Sequence, residues 1–168
     1  MTPFIRAGLF LSACMWVLGA HAQWQAQTGV PNVDYYSVER YDAQTIHGGG
    51  IFSLLRSTNN GATWDTTYVR VGGVPFPGTL FDVHFISPLV GVASGLMSLG
   101  SQYAILRTID GGQNWTVSYL SDTGGPLRWI RDIEFGSSTE GYAVGSDRRL
   151  LRTTNGGQTW TQLTTPYV

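Results

Sequence analysis

A nine-residue pattern occurs three times in this chain and constrains its fold more than any other feature. The copies are Arg56-Ser-Thr-Asn-Asn-Gly-Ala-Thr-Trp64, Arg107-Thr-Ile-Asp-Gly-Gly-Gln-Asn-Trp115 and Arg152-Thr-Thr-Asn-Gly-Gly-Gln-Thr-Trp160. The closing tryptophans stand 51 (Trp64 to Trp115) and 45 (Trp115 to Trp160) residues apart. That period, about 40 to 50 residues, belongs to repeat units that bury their apolar faces only by stacking on a neighbour. The likeness reaches upstream: Asp82-Val-His-Phe85 with Gly91-Val-Ala-Ser-Gly95 parallels Asp132-Ile-Glu-Phe135 with Gly141-Tyr-Ala-Val-Gly145, and a degenerate first copy runs from Tyr36 to Gly48. No segment has helical periodicity, and the 22 glycines and 6 tryptophans suit many tight turns between short strands.

The repeated pattern has a mechanical reading. An Asp or Asn side chain bonds backbone amides ahead of it, and the following glycine takes positive φ without a Cβ clash. A Ser or Thr hydroxyl two residues earlier closes the loop, over a tryptophan plate. Ser57, Asn59, Gly61 and Trp64, then Thr108, Asp110, Gly112 and Trp115, then Thr153, Asn155, Gly157 and Trp160 are therefore read as architectural.

These residues resemble the Asp-box, or BNR, repeat S/T-x-D-x-G-x-T/N-W of sialidases and sortilin-type receptors. With G-x-A-x-G upstream and L-R-T-x-D/N-G-G-x-x-W downstream, the chain is most similar to the photosystem II stability and assembly factor family of β-propellers. Asn59 and Asn155 depart from the pattern by replacing its aspartate. The resemblance implies an all-β fold of four-stranded antiparallel blades with the Asp boxes on the hairpin between third and fourth strands, away from the ligand face. About three blades are expected, a partial propeller, over 34–69, 80–120 and 129–166, with 23–31 as an extra outer strand. Three blades are too few to close a ring, so further blades are expected from a longer chain or from self-association. The faces left open are expected to carry Val83, Phe85, Ile133 and Phe135.

The N-terminus has one basic residue, Arg6, an apolar run from Ala7 to Ala20, and a small-x-small end at Ala20-His21-Ala22. This predicts a signal peptide over residues 1–22 and a periplasmic or extracellular protein, without a transmembrane segment once mature. Lipidation at Cys14 is the alternative route. Cleavage after Ala22 removes the single cysteine, so the mature chain has no disulfide.

A net charge of −1 supplies no field for nucleic acid. All ten basic residues are arginine, which favours planar, bidentate recognition of carboxylates. Strand alternation places Arg70, Phe76, Arg128, Trp129, Arg131, Arg148 and Arg149 on the face opposite the Asp boxes, with Leu96 to Gln102 as a protruding insertion. This rim is the candidate site for a protein or anionic glycan ligand; the competing reading pairs these arginines with Asp122, Asp132 and Asp147. Arg56, Arg107 and Arg152 recur at one position and are read as structural. Glu39, His84 and Glu134 share a position near a central channel, but nothing in their spacing demands a metal.

The expected protein is thus a binding or scaffold module without cofactor or catalysis. The alternative is the front of a sialidase-like glycan-binding or glycan-hydrolysing propeller. Sialidase chemistry needs a tyrosine activated by a glutamate, and Glu39, Glu134 and Glu140 are the only glutamates, none in a convincing pair with tyrosine.

Overall fold

The computed structural model describes residues 29–97, 102–121, 129–146 and 148–164. The signal segment, the outer strand expected from 23 and Arg128 lie wholly or largely outside them. The first sheet is a meander of β1 (Tyr35–Arg40), β2 (Ile46–Gly50), β3 (Ser53–Ser57) and β4 (Asp65–Tyr68). A two-stranded ribbon, β5 (Arg70–Val71) and β6 (Val74–Pro75), leads to the second sheet, β7 (Gly78–Phe85), β8 (Gly91–Met97), β9 (Gln102–Thr108) and β10 (Thr116–Leu120). The third comprises β11 (Ile130–Phe135), β12 (Gly141–Gly145), β13 (Leu150–Thr153) and β14 (Thr161–Gln162). Every pairing within these sheets is antiparallel, and no helix occurs among the described residues.

The sheets stack as propeller blades. Their first strands lie side by side, β1 against β7 and β7 against β11, and form the inner edge. Between blades 1 and 2, Leu54 packs with Val83, Phe85, Ala93, Leu106 and Trp115; between blades 2 and 3, Val92 and Ile105 pack with Ile133, Ala143, Leu151 and Trp160. The box glycines show why the sheets come so close: a Cβ on Gly112 (φ 90°) would meet Leu54 Cδ2 at 2.6 Å, and one on Gly157 (φ 76°) would meet Val92 Cγ1 at 2.6 Å. Any side chain there would both strain the backbone and push the preceding blade away.

Each inner strand also latches onto the next. Glu39 Oε2 accepts the Phe85 N–H (2.7 Å), and Asp82 Oδ2 accepts the Ile133 N–H (2.8 Å). Burial pushes both carboxyls up, against the pull of these hydrogen bonds.

The open faces differ from the expected ones. Val83, Phe85 and Ile133 are buried, and Phe135 packs on the second core, because each points back at the preceding blade. The register makes Val38, Val83 and Ile133 counterparts; Val38 is 75% exposed, against 2% and 1%. At the far end Tyr142 (40%) and Val144 (43%) are exposed where their counterparts Val92 and Ser94 are fully buried. Of the expected insertion, Leu96 and Met97 continue β8 and pair with Tyr103 and Gln102 of β9, and residues 98–101 lie outside the described residues.

Candidate functional site

The two ends of each blade are built differently. At the end carrying the β3–β4, β9–β10 and β13–β14 turns, one hydrogen-bond pattern is repeated three times. The Ser57 hydroxyl donates to Asn59 Oδ1 (3.0 Å) and accepts the Gly61 N–H (2.8 Å), while Asn59 Oδ1 accepts the Thr63 N–H (2.8 Å). Thr108, Asp110, Gly112 and Asn114 repeat it at 2.8, 3.0 and 2.9 Å, and Thr153, Asn155, Gly157 and Thr159 at 2.9, 3.0 and 3.0 Å. Trp115 Nε1 donates to the Gly112 carbonyl (3.0 Å). Phe85 meets the Trp115 ring edge-on at 6.3 Å, and Phe135 meets Trp160 at 6.0 Å. The turns' polar groups are taken up by one another, even where Asn59, Thr63, Asn114 and Thr159 are exposed. They hold hairpins shut and offer a ligand little.

The recurring arginines serve the same end. Arg107 Nε donates to the Gly156 carbonyl of the next blade (2.8 Å), and Arg152 pairs with Glu140 (2.7 Å). Hydrogen bonds from Arg152 and then the Tyr142 hydroxyl hold the Glu140 carboxyl below its ordinary range.

At the opposite end each inner strand carries a one-residue bulge at the same register: between Tyr35 and Ser37, between Leu80 and Asp82, and between Ile130 and Asp132. The extra residues are Tyr36, Phe81 and Arg131. A bulge interrupts pairing and re-aims a side chain, and bulges are over-represented beside binding sites. Here they produce a continuous arc: Tyr36 meets Phe81 edge-on at 5.7 Å, Phe81 meets Trp129 at 6.3 Å, and the Arg131 guanidinium lies 5.0 Å over the Trp129 ring. Trp129 is fixed in turn, its N–H on Ser146 Oγ (2.9 Å) and its carbonyl accepting the Ser146 N–H (2.8 Å). A cavity of about 280 Å³ opens beside it, lined by Trp129, Arg131, Val144, Gly145 and Ser146.

The other rim residues are dispersed. Arg70 is exposed and donates to the Gly73 carbonyl (3.1 Å) within the β5–β6 ribbon. Phe76 is 2% exposed and belongs to the core between blades 1 and 2, so it presents no surface to a ligand. Arg148 is exposed with φ 56°, and Arg149 donates to the Tyr119 hydroxyl and Gln162 Oε1, both at 2.8 Å. Arg149 therefore ties blade 3 to β10 through the Tyr119 hydroxyl, while Asp122 and Asp147, two of the aspartates expected to pair with the rim arginines, lie outside the described residues. His84 Nδ1 lies 3.0 Å from Glu39 Oε1 on the inner edge. No group of three metal-ligating side chains occurs among the described residues.

Tyr36 and Phe81 escaped the sequence reading. Their signal lay where the copies begin, since Tyr36 opens the first copy and Phe81 and Arg131 stand one position before Asp82 and Asp132.

A family model described as photosynthesis system II assembly factor YCF48 matches residues 69–166, more than half of the chain. The chain belongs to this family. Among solved structures it is similar to YCF48 bound to a D1 peptide (18% identity, TM-score 0.60), covering 77% of this chain and 40% of that one. It is also similar to YCF48 from Cyanidioschyzon merolae (21%, 0.61), covering 82% and 42%. An ancestral GH74 enzyme shares the fold (17%, 0.59) over 86% of this chain and 20% of its own. The chain thus spans about two fifths of the YCF48 chains it matches. No curated protein sequence matches it. No helix among the described residues is long and apolar enough to cross a membrane.

Proposed function

We propose that this YCF48-family chain is a non-catalytic, exported binding module that takes an extended polypeptide segment on the bulged end of its blades. The observation that carries the reading is the arc Tyr36–Phe81–Trp129–Arg131, built by three bulges in one register. Aromatic faces and arginine are the groups enriched at binding hot spots. Here the rings supply apolar contact and Arg131 supplies a fork for a side-chain or terminal carboxylate. The D1 peptide named with one YCF48 structure supports a peptide as the ligand class. Cleavage after Ala22 would place the arc outside the cytoplasm, and mass spectrometry of the mature N-terminus reads it.

The test is fluorescence titration of a labelled peptide containing aromatic and acidic residues, beside a version with its carboxylates amidated. Phe81→Ala and Arg131→Ala are each expected to weaken binding about tenfold or more, and amidation to remove the Arg131 effect. Asp110→Ala, at the opposite end, leaves the affinity of folded protein unchanged. Equal affinity across all variants would refute the site, and turnover of a sialoside reporter would establish the glycan-hydrolysing alternative.

A further inference from the structure

We propose that Phe52 is a ligand-contact residue, and that with Tyr36 and Phe81 it forms an aromatic trio that receives an apolar side chain of the bound peptide at the seam between blades 1 and 2.

Among the described residues three that are not glycine have positive φ: Phe52 (56°), Asn60 (58°) and Arg148 (56°). Asparagine visits this left-handed region readily, whereas a bulky side chain there is strained. Where this chain needs only the geometry it uses glycine, as at Gly61, Gly72, Gly111 and Gly156. Phe52 lies in the two-residue connection between β2 and β3. Arg148 stands at the same place in blade 3, two residues ahead of Leu150 as Phe52 is two ahead of Leu54. Both are exposed, Phe52 at 46%, and the Phe52 ring belongs to neither core, so burial does not offset the strain in full. Strained backbone of this kind persists where the surrounding structure holds it, and it gathers at ligand clamps.

The Phe52 corner is held from both sides. Its N–H donates to the Gly78 carbonyl (3.0 Å) at the start of β7, and its carbonyl accepts the Val69 N–H (3.4 Å). The neighbouring Ile51 N–H donates to the Asp34 carbonyl (3.2 Å), and Ile51 bridges Thr79. These bonds tie the corner to the two strands whose bulges make the arc: Gly50 pairs with Tyr35, next to Tyr36, and Thr79 stands two residues before Phe81. The corner therefore lies on an interior seam, between two blades that are both described. At that seam Tyr36 meets Phe81 edge-on at 5.7 Å and is itself half exposed. A single exposed phenylalanine is ordinary. One held in strained backbone, on the strands that carry two further rings, is placed for contact.

The trio also sets the order of groups in the ligand. From Phe81 the arc runs 6.3 Å to Trp129, and the Arg131 guanidinium lies 5.0 Å over that ring. Extended chain rises about 3.3 Å per residue. The apolar residue taken by the trio is thus expected about three positions from the acidic residue taken by Arg131.

The trio rests on the reading of the arc as a peptide site, and one set of titrations separates the two. The probes are a labelled peptide with phenylalanine three positions before aspartate, and the same peptide with serine in place of that phenylalanine. Phe52→Gly is expected to weaken the phenylalanine peptide about tenfold and the serine peptide by less than about twofold, whereas Arg131→Ala weakens both. Phe52→Asn, which also accepts the left-handed corner, is expected to match Phe52→Gly, and Phe52→Tyr to keep native affinity. Relief of strain offsets the lost contacts, so the melting temperature of Phe52→Gly should stay within about 4 °C of native. Three results would each overturn the trio and leave the arc standing: equal losses for both peptides, a larger fall in melting temperature, or native affinity in Phe52→Gly while Phe81→Ala and Arg131→Ala bind weakly. Native protein that binds neither peptide would overturn the arc, and the trio with it.

Discussion

The two ends of the blades share a backbone plan and differ in their side chains. At the Asp-box end the hydroxyl, the carboxylate or amide, the glycine and the tryptophan recur in all three repeats with hydrogen bonds that differ by at most about 0.2 Å. At the other end the bulge recurs in every inner strand, yet its residue is Tyr36, then Phe81, then Arg131. A position held constant in chemistry is one that every blade needs for its own folding. A position held constant only in geometry is free to carry different chemistry in each blade, and a ring of such positions makes a surface no single repeat contains. The comparison therefore separates what stabilises the stack from what the stack can present.

The largest effect that would sharpen this contrast comes from the box tryptophan. Trp115 is buried, meets Phe85 edge-on and donates to Gly112. Trp115→Ala removes this plate and leaves a cavity, with an expected loss of about 3 to 5 kcal/mol in denaturant unfolding. Phe81→Ala, which removes an aromatic ring from the bulged end, is expected to cost less than half as much. Equal losses would break the division between the ends.

Acid gives the next largest effect, at the junction between blades 1 and 2. His47 is buried against Phe85, and burial, followed by the Arg56 charge, lowers its pKa to about 4. Unfolding releases the imidazole to its ordinary value of about 6.5. The unfolded state therefore binds the proton first, and stability falls as pH drops from about 6.5 to about 4, by about 3 kcal/mol in total. Glu39 and Asp82, raised by burial, work in the opposite sense, so His47→Val isolates the histidine. Val92 occupies the corresponding place in blade 2 and cannot titrate. Urea midpoints measured across that interval should flatten in the variant; an unchanged slope would place the acid sensitivity elsewhere.

The third effect lies in the turn itself. Asp110 accepts from Thr108 and from both the backbone and side chain of Asn114. Asp110→Ala leaves those donors unmet and is expected to cost about 1 to 2 kcal/mol by thermal unfolding. A shift near zero would mean that the glycines alone hold the hairpin.

Fold and site were unequally legible in the sequence for the same physical reason. The blades could be read because a local turn needs fixed residue types at fixed spacing, so Asp110-Gly-Gly and Trp115 announce themselves. The family match and the four-stranded sheets agree with that reading. The bulges could not be read, because any residue can occupy the extra position and its identity varies from blade to blade. Phe76 was placed on the rim because it sits in a connecting segment, yet the chain turns it into the core, where its N–H bonds the Val69 carbonyl (2.7 Å). The exposed faces differ from the expected ones because strand alternation gives two sides without saying which one meets the preceding blade. Val38 and Tyr142 face outward only because of the order in which the blades stack.

The smallest expected effect tests whether the departures from the aspartate pattern matter. Asn155 Oδ1 accepts from the Thr153 hydroxyl and the Thr159 N–H, as Asp110 Oδ1 accepts from its own partners, but Asn155 Nδ2 donates to Thr159 Oγ1 (2.8 Å). In blade 2 the partner at that place is Asn114, which donates to Asp110 Oδ2 (3.0 Å). The pairs are thus matched, amide to hydroxyl in blade 3 and carboxylate to amide in blade 2. A hydroxyl can rotate to donate as readily as to accept, so Asn155→Asp keeps every bond by turning the Thr159 proton around, and its unfolding free energy should change by no more than about 0.5 kcal/mol at neutral pH. The substitution would add one acid-sensitive group. Asp110 shows its direction: hydrogen bonds from Asn114 and Thr108 outweigh burial and hold its pKa below the ordinary value. A carboxylate at 155 held the same way adds stability at neutral pH that is lost as acid protonates it. Calorimetry of Asn155→Asp at neutral and acidic pH reads both parts. A neutral-pH loss as large as that of Asp110→Ala would show that the amide donor, and not the shared acceptor geometry, holds the third turn.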